Sequence, residues 1–188
     1  MIIKRVFDII FSLALIVFLS WVVLLIIFGI KLSSRGTILF WQERVGMNSR
    51  VFKMPKFRTM IMNTPNVATD LLQDVEKHIT SFGSFLRAYS LDELPQLFSI
   101  LKGDMSFVGP RPALCSQYEL IKLREKYGID TIKPGVTGWA QVNGRDELSI
   151  DQKVAYETQY KEQNTFFFDI YIILLTVIKA LKKEGVAH

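Results

Sequence analysis

From Ile9 to Ile30 the chain runs for 22 residues without a charged side chain. As a helix rising about 1.5 Å per residue this stretch is about 33 Å long, enough to cross a bilayer. It is too long for a signal peptide, and no small-residue cleavage site follows it. Its flanks are basic on both sides, with Lys4 and Arg5 before it and Lys31 and Arg35 after it, so the excess of positive charge that orients spanning helices favours neither direction. Two geometries remain open: a full span, or a segment that turns back so that both ends stay on the cytoplasmic side. The matched flanks favour the second.

The rest of the composition agrees with a lipid-associated chain. Its 188 residues are one domain's worth, yet 49% are hydrophobic and 14 are phenylalanine, more than a soluble core of this size needs. The excess lies near the two ends. A net charge of +5 suits anionic head groups and anionic substrates, and no nucleic-acid recognition motif accompanies it. Cys115 is the single cysteine, which excludes an intramolecular disulfide and agrees with a body facing the cytoplasm. His78 and His188 have no metal-ligand spacing, so any metal is expected to be a hard, oxygen-bound ion such as Mg²⁺.

The most unusual chemistry lies in Tyr89 to Pro112, YSLDELPQLFSILKGDMSFVGPRP. Ser90 and Glu93 have the spacing of a capping box, which would account for the acidic pair Asp92 and Glu93 by local structure alone. The same first-turn position stabilises ionised acids and attracts phosphates, so an acid pair there also suits a metal-bridged phosphate. Pro95 favours the second reading. It cannot donate to the carbonyl of Leu91, which must find another partner or distort the turn. Gly103 is expected to close the helix after Lys102. Arg111, held between Pro110 and Pro112, places a guanidinium on a stiff turn suited to bidentate phosphate recognition.

Around this stretch, residues 37–60 read as a β-hairpin turning at Gly46 to Ser49, with Pro55 ending or edging its second strand. Helical patterns follow from Asp70 to about His78 and from Phe82 to Tyr89, the latter with Phe82, Phe85, Leu86 and Tyr89 on one face. Pro112 is placed to open a helix that Gly128 closes. Ile132 to Arg145 reads as a glycine-rich folded loop in which Trp139, Gln141, Asn143 and Arg145 would suit a uracil, a ribose and a diphosphate, or simply build a necessary loop around a buried tryptophan. Ser149 and Gln152 form a capping box for a polar helix to about Gln163. The apolar stretch Phe166 to Lys183 carries Asp169, Thr176, Lys179 and Lys183 as a narrow polar stripe, the pattern of a helix lying in the membrane interface.

Three segments together, KFRTM at 56–60, SLDELPQLFSILKGDMSFVGPRP at 90–112 and KPGVTGWAQVNGR at 133–145, resemble the bacterial sugar transferase family, the small monotopic phosphoglycosyl transferases. The resemblance runs from about Lys4 to about Gly185. It implies an α+β, mainly helical fold: a membrane re-entrant helix-break-helix over 1–35, a catalytic core over 36–165 with a small β-hairpin, and an interfacial helix over 166–188. The family's break is usually a Ser-Pro pair, and this sequence has Ser20-Trp21 instead. The resemblance further implies transfer of a sugar 1-phosphate from a UDP-sugar to a polyprenyl phosphate at the cytoplasmic face of the bacterial inner membrane, with Mg²⁺, membrane lipids as partners and room for a homo-oligomer. By the same resemblance Asp92 is nucleophile and metal ligand, and Glu93 assists. Arg111 steadies phosphoryl oxygens, Lys56 and Arg58 lie in or beside the site, and Gln141, Asn143 and Arg145 contact substrate.

Overall fold

A computed structural model of the chain describes residues 2–62, 64, 75–144 and 147–182. The apolar N-terminus is two helices, α1 (Ile2–Phe18) and α2 (Ser20–Ser33), bent by 60° at Leu19. The bend falls where the family resemblance places it, and the Ser20 hydroxyl donates to the carbonyl of Val17 at 2.8 Å. The backbone ladder continues through the bend, with the Leu19 amide on Leu15 O and the Val23 amide on Leu19 O. These two bonds keep the Leu19 and Val23 amides paired across the bend in an apolar segment. Among the described residues no single helix is long and apolar enough to cross a membrane, whereas the bent pair passes that test together.

The hairpin is present as strands β1 (Leu39–Val45) and β2 (Val51–Phe57), joined by a 3₁₀ turn at Met47–Ser49. β4 (Ala113–Leu114) pairs with the other side of β1, giving the order β2-β1-β4. Pro55 thus sits in an edge strand, where its missing amide costs no ladder bond. Cross-strand pairing puts Trp41 opposite Pro55 and Glu43 opposite Lys53 on one face, and Phe40 opposite Lys56 and Arg44 opposite Phe52 on the other. A second sheet pairs β3 (Ser106–Val108) in parallel with β5 (Gly135–Thr137).

Helices α3 (Val75–His78), α4 (Ser81–Ala88), α5 (Gln96–Lys102), α6 (Tyr118–Lys126), α7 (Trp139–Val142), α8 (Ile150–Glu162) and α9 (Phe166–Lys182) pack around these sheets. The Asp70 to His78 pattern is described only from Val75. The helix expected from Pro112 begins instead at Tyr118, because Ala113 and Leu114 are taken up as an edge strand on β1. Gly103 and Gly128 close α5 and α6 with φ of 99° and 65°, as their positions predict. The Ser149–Gln152 capping box is formed on α8.

The polar stripe of α9 begins on the protein body. Asp169 is buried, Thr176 shares a 2.7 Å hydrogen bond with Thr137, and Ile172 is fully enclosed. Phe167, Tyr171, Leu174 and Ile178, at successive helical turns, face outward. Asp169 and Thr176 are spent on the protein body and the exposed face is mainly apolar, while Lys183 lies outside the described residues.

Helix α1 is tied to the body by charge as well as by packing. Lys4 Nζ donates to Asp169 Oδ2 at 2.6 Å, to Tyr160 Oη at 2.9 Å and to the carbonyl of Val108 at 2.9 Å. Asp8, buried, accepts from the Ser106 hydroxyl and the Phe107 amide. Arg5 donates to the carbonyls of Ile100 and Leu101 in the last turn of α5, where Ile100 O also accepts from the Gly103 amide. One helical turn of α1 thereby holds both the end of α5 and the whole of β3, the elements that precede Arg111.

Candidate active site

The acidic pair lies on a turn that the sequence describes only in part. Leu91–Glu93 is a 3₁₀ turn, and Ser90 before it is left-handed, with φ 53° and ψ 23°. The Ser90 side chain makes no cap, so the capping box expected at Ser90 and Glu93 does not form. The cause is Pro95. Its missing amide leaves the Leu91 carbonyl to the Leu94 amide one residue earlier, at 3.3 Å, and an i to i+3 bond is the 3₁₀ pattern. At three residues per turn Asp92 and Glu93 point about 120° apart, so they meet different surroundings. The helix proper, α5, starts only after Pro95.

Glu93 faces a cleft of about 230 Å³ lined by Arg44, Lys56, Gln96, Arg111 and Gly135 among others. Lys56 Nζ donates to Glu93 Oε1 at 2.7 Å, and Arg111 Nη2 stands 4.0 Å from the same oxygen. Asp92, 8% exposed, points into the protein at the flank of the cleft. Burial, the largest influence, raises its carboxyl above the ordinary value, and the negative charge of Glu93 adds to the rise. Lys56, Arg87 and its own amide oppose it. Among the described residues no cation stands within 4 Å of its oxygens, in contrast to Glu93. Asp92 is thus a desolvated carboxylate in a positive field without a committed partner.

The turn bearing Arg111 is fixed from several sides. The Gly109 amide donates to Thr137 O and the Gly135 amide to Pro110 O, each at 2.9 Å. The two backbones come so close that a Cβ on Gly109 would fall 2.2 Å from Lys133 O, and one on Gly135 2.1 Å from the Gly109 nitrogen. The PG of KPGVTG therefore serves to dock against the GP of GPRP.

The remaining expected residues have assigned places. Arg58 is buried and donates to Ser34 O, Ser34 Oγ and Arg35 O, closing the end of α2. Gln141 donates to Val136 O on the cleft wall and Asn143 to Trp139 O. Trp139, half-buried rather than enclosed, donates to Gln159 and packs on Tyr156, Phe168 and Tyr171. Arg145 lies outside the described residues. Lys56, Glu93 and Arg111 are thus brought together beside Asp92, while Arg58, Gln141 and Asn143 bond to backbone around them.

Two cations that sequence reasoning passed over belong to the same neighbourhood. Arg87, whose Nε donates to Thr59 Oγ1 at 2.9 Å, feels Asp92 and is lowered by burial. Arg44 lines the cleft, and the alternation of the hairpin, which sets Arg44 on the same face as Lys56, was the available signal.

Among the described residues no three His, Cys, Asp or Glu side chains cluster as a metal cage. Mg²⁺ asks for less, one or two carboxylates with phosphate oxygens and water completing the shell. An uncommitted, desolvated Asp92 fits that demand, whereas Glu93 Oε1 is already held by Lys56.

The model of the family described as bacterial sugar transferase matches residues 1–183. The chain belongs to that family. It is 39% identical over 186 residues to the uncharacterized sugar transferase EpsL of Bacillus subtilis, covering 99% of this chain and 91% of that one. It is 35% identical to the exopolysaccharide production protein ExoY of Sinorhizobium fredii, over 97% of this chain and 87% of that one. The UDP-glucose:undecaprenyl-phosphate glucose-1-phosphate transferase of Escherichia coli is 39% identical over 97% of this chain, which spans 41% of that longer protein.

Proposed function

We propose that the chain transfers a sugar 1-phosphate from a UDP-sugar to a polyprenyl phosphate in two displacements at Asp92. The observation that carries this reading is the contrast between the two acids: Glu93 is held by Lys56, while its neighbour Asp92 is desolvated and uncommitted. In the first step an Asp92 oxygen bonds the phosphorus attached to the sugar, and the bond to the nucleotide phosphate breaks with its electron pair leaving on UMP. In the second an oxygen of the polyprenyl phosphate bonds the same phosphorus and the carboxylate departs. One site thereby serves a soluble donor and a lipid acceptor in turn. Arg111 and Lys56 steady the phosphoryl oxygens. Mg²⁺ on Asp92 would neutralise the diphosphate charge. UMP release by purified protein, over a panel of UDP-sugars with undecaprenyl phosphate in vesicles, tests the reaction. Absence of release with every donor contradicts it.

Arg111→Lys keeps the charge and loses the planar fork. With a bidentate phosphate contact worth ~1.5–3 kcal/mol weakened, turnover should fall about tenfold or more. Unchanged donor kinetics would remove Arg111 from the site.

The bent pair α1–α2 is read as entering one leaflet and returning, with the apolar face of α9 beside it, so that the cleft opens toward the lipid carrier at the cytoplasmic face. Cysteines introduced as Ile2→Cys and Thr37→Cys, with Cys115 replaced, should both be labelled from the cytoplasmic side only. Gly36 is unsuitable, because its φ is 124° and a Cβ there would fall 2.3 Å from Arg58 Nη1. Labelling of position 2 from outside would show a full span.

A further inference from the structure

Arg44 combines features that structural support alone does not require. Its Nε and Nη2 donate to Gln42 Oε1 at 3.1 and 2.6 Å, and its Nη1 donates to Pro112 O at 3.0 Å, so every one of these acceptors is neutral. It lines the cleft together with Arg111. Burial, with the repulsion of Arg111 next, lowers its pKa to about 10. Lys56, Arg44 and Arg111 against Glu93 leave this cleft two positive charges in excess.

The surroundings of the two ends differ. Asp92 feels Lys56, Glu93 and Arg87, while Arg44 feels Arg111 and Glu93. Glu93 joins the two surroundings, its Oε1 taking Lys56 Nζ at 2.7 Å and standing 4.0 Å from Arg111 Nη2. An in-line displacement at phosphorus puts the departing oxygen opposite the attacking one. With Asp92 attacking from its side, the phosphate that leaves departs toward Arg44 and Arg111. The second displacement must in turn enter opposite the Asp92–phosphorus bond, from the face just vacated.

We propose that Arg44 and Arg111 form one site for a phosphate monoester, occupied first by the phosphate leaving on the nucleotide and then by the phosphate of the incoming polyprenyl carrier. This inference rests on the two-displacement reading. It makes Arg44 a direct ligand of both phosphates and the two ligands mutually exclusive.

The test uses the purified full chain in detergent, with UMP, uridine and a short-chain polyprenyl phosphate as probes in binding titrations. Arg44→Gln should weaken UMP and the polyprenyl phosphate by a similar factor, on the order of tenfold, and leave uridine unchanged, since uridine carries no phosphate. A purely structural Arg44, acting by holding Pro112, would weaken uridine and UMP alike. That result, or unchanged UMP binding by a folded variant, overturns the proposal. Should Arg44→Gln not fold, wild-type protein still decides: UMP must displace the polyprenyl phosphate competitively, and simultaneous binding of both overturns the shared site. Adduct formation on Asp92 is read separately by mass, so a failure of the two-displacement reading is told apart from a failure of Arg44.

Discussion

Asp92→Asn should abolish turnover and leave the protein at least as stable as wild type. The loss is expected to be complete within detection, because a carboxamide cannot form the acyl phosphate. The stability follows from the sign of the perturbation. Burial raises the Asp92 carboxyl above its ordinary value, so folding favours the protonated form. A group raised in this way contributes stability at low pH that is lost as pH rises through its folded value, and at neutral pH its ionised form costs stability. Asparagine removes that cost, so the thermal midpoint at pH 7 should hold or rise, and the gap from wild type should close as pH falls. A variant that loses both activity and several degrees of stability would show Asp92 to be a structural acid.

The second large effect is on stability. Lys4→Met should destabilise the chain by about 3 kcal/mol, because it leaves Asp169, 3% exposed, without its cation. Among the described residues only the Tyr160 hydroxyl, at 2.6 Å from Oδ1, would remain to satisfy that carboxylate. For a domain of this size each kcal/mol is worth roughly 2–4 °C, so the midpoint should fall by roughly 6–12 °C. Lys4→Met with Asp169→Leu should recover much of the loss, as replacement of a whole buried pair by apolar groups often does. A single variant melting with wild type would show that α1 is held by its apolar contacts alone.

These two residues mark what could be read from the sequence and what could not. The hairpin at Gly46 to Ser49, the caps at Gly103 and Gly128 and the helix from Ser149 follow from local rules, and local rules decided them, whereas the place of the bend near Ser20 came from the family resemblance. Lys4 reads as a topology signal beside an apolar run, yet its charge is neutralised by Asp169, 165 positions away. The same contact places the start of the α9 stripe: the pattern of a polar stripe does not say what the stripe touches, and a cation from another helix draws Asp169 onto the body. Ser90 and Glu93 look like a capping box because the spacing is right, and Pro95 two residues later imposes a 3₁₀ turn that the spacing rule does not see. Within the site, Glu93, Lys56 and Arg111 were legible as motif residues. Arg44 was not, because its place depends on which face of β1 turns toward β2's Lys56 and on a turn 68 positions downstream.

The central claim is that Asp92 is the nucleophile. Wild-type protein incubated with Mg²⁺ and a UDP-sugar labelled in the phosphate attached to the sugar, without any lipid acceptor, should gain the mass of one sugar phosphate and retain the label. Fragmentation should place that mass on Asp92, and addition of polyprenyl phosphate should discharge it. A folded Asp92→Asn protein that still retains the label, or a wild type that turns over with acceptor yet never carries it, would contradict the account.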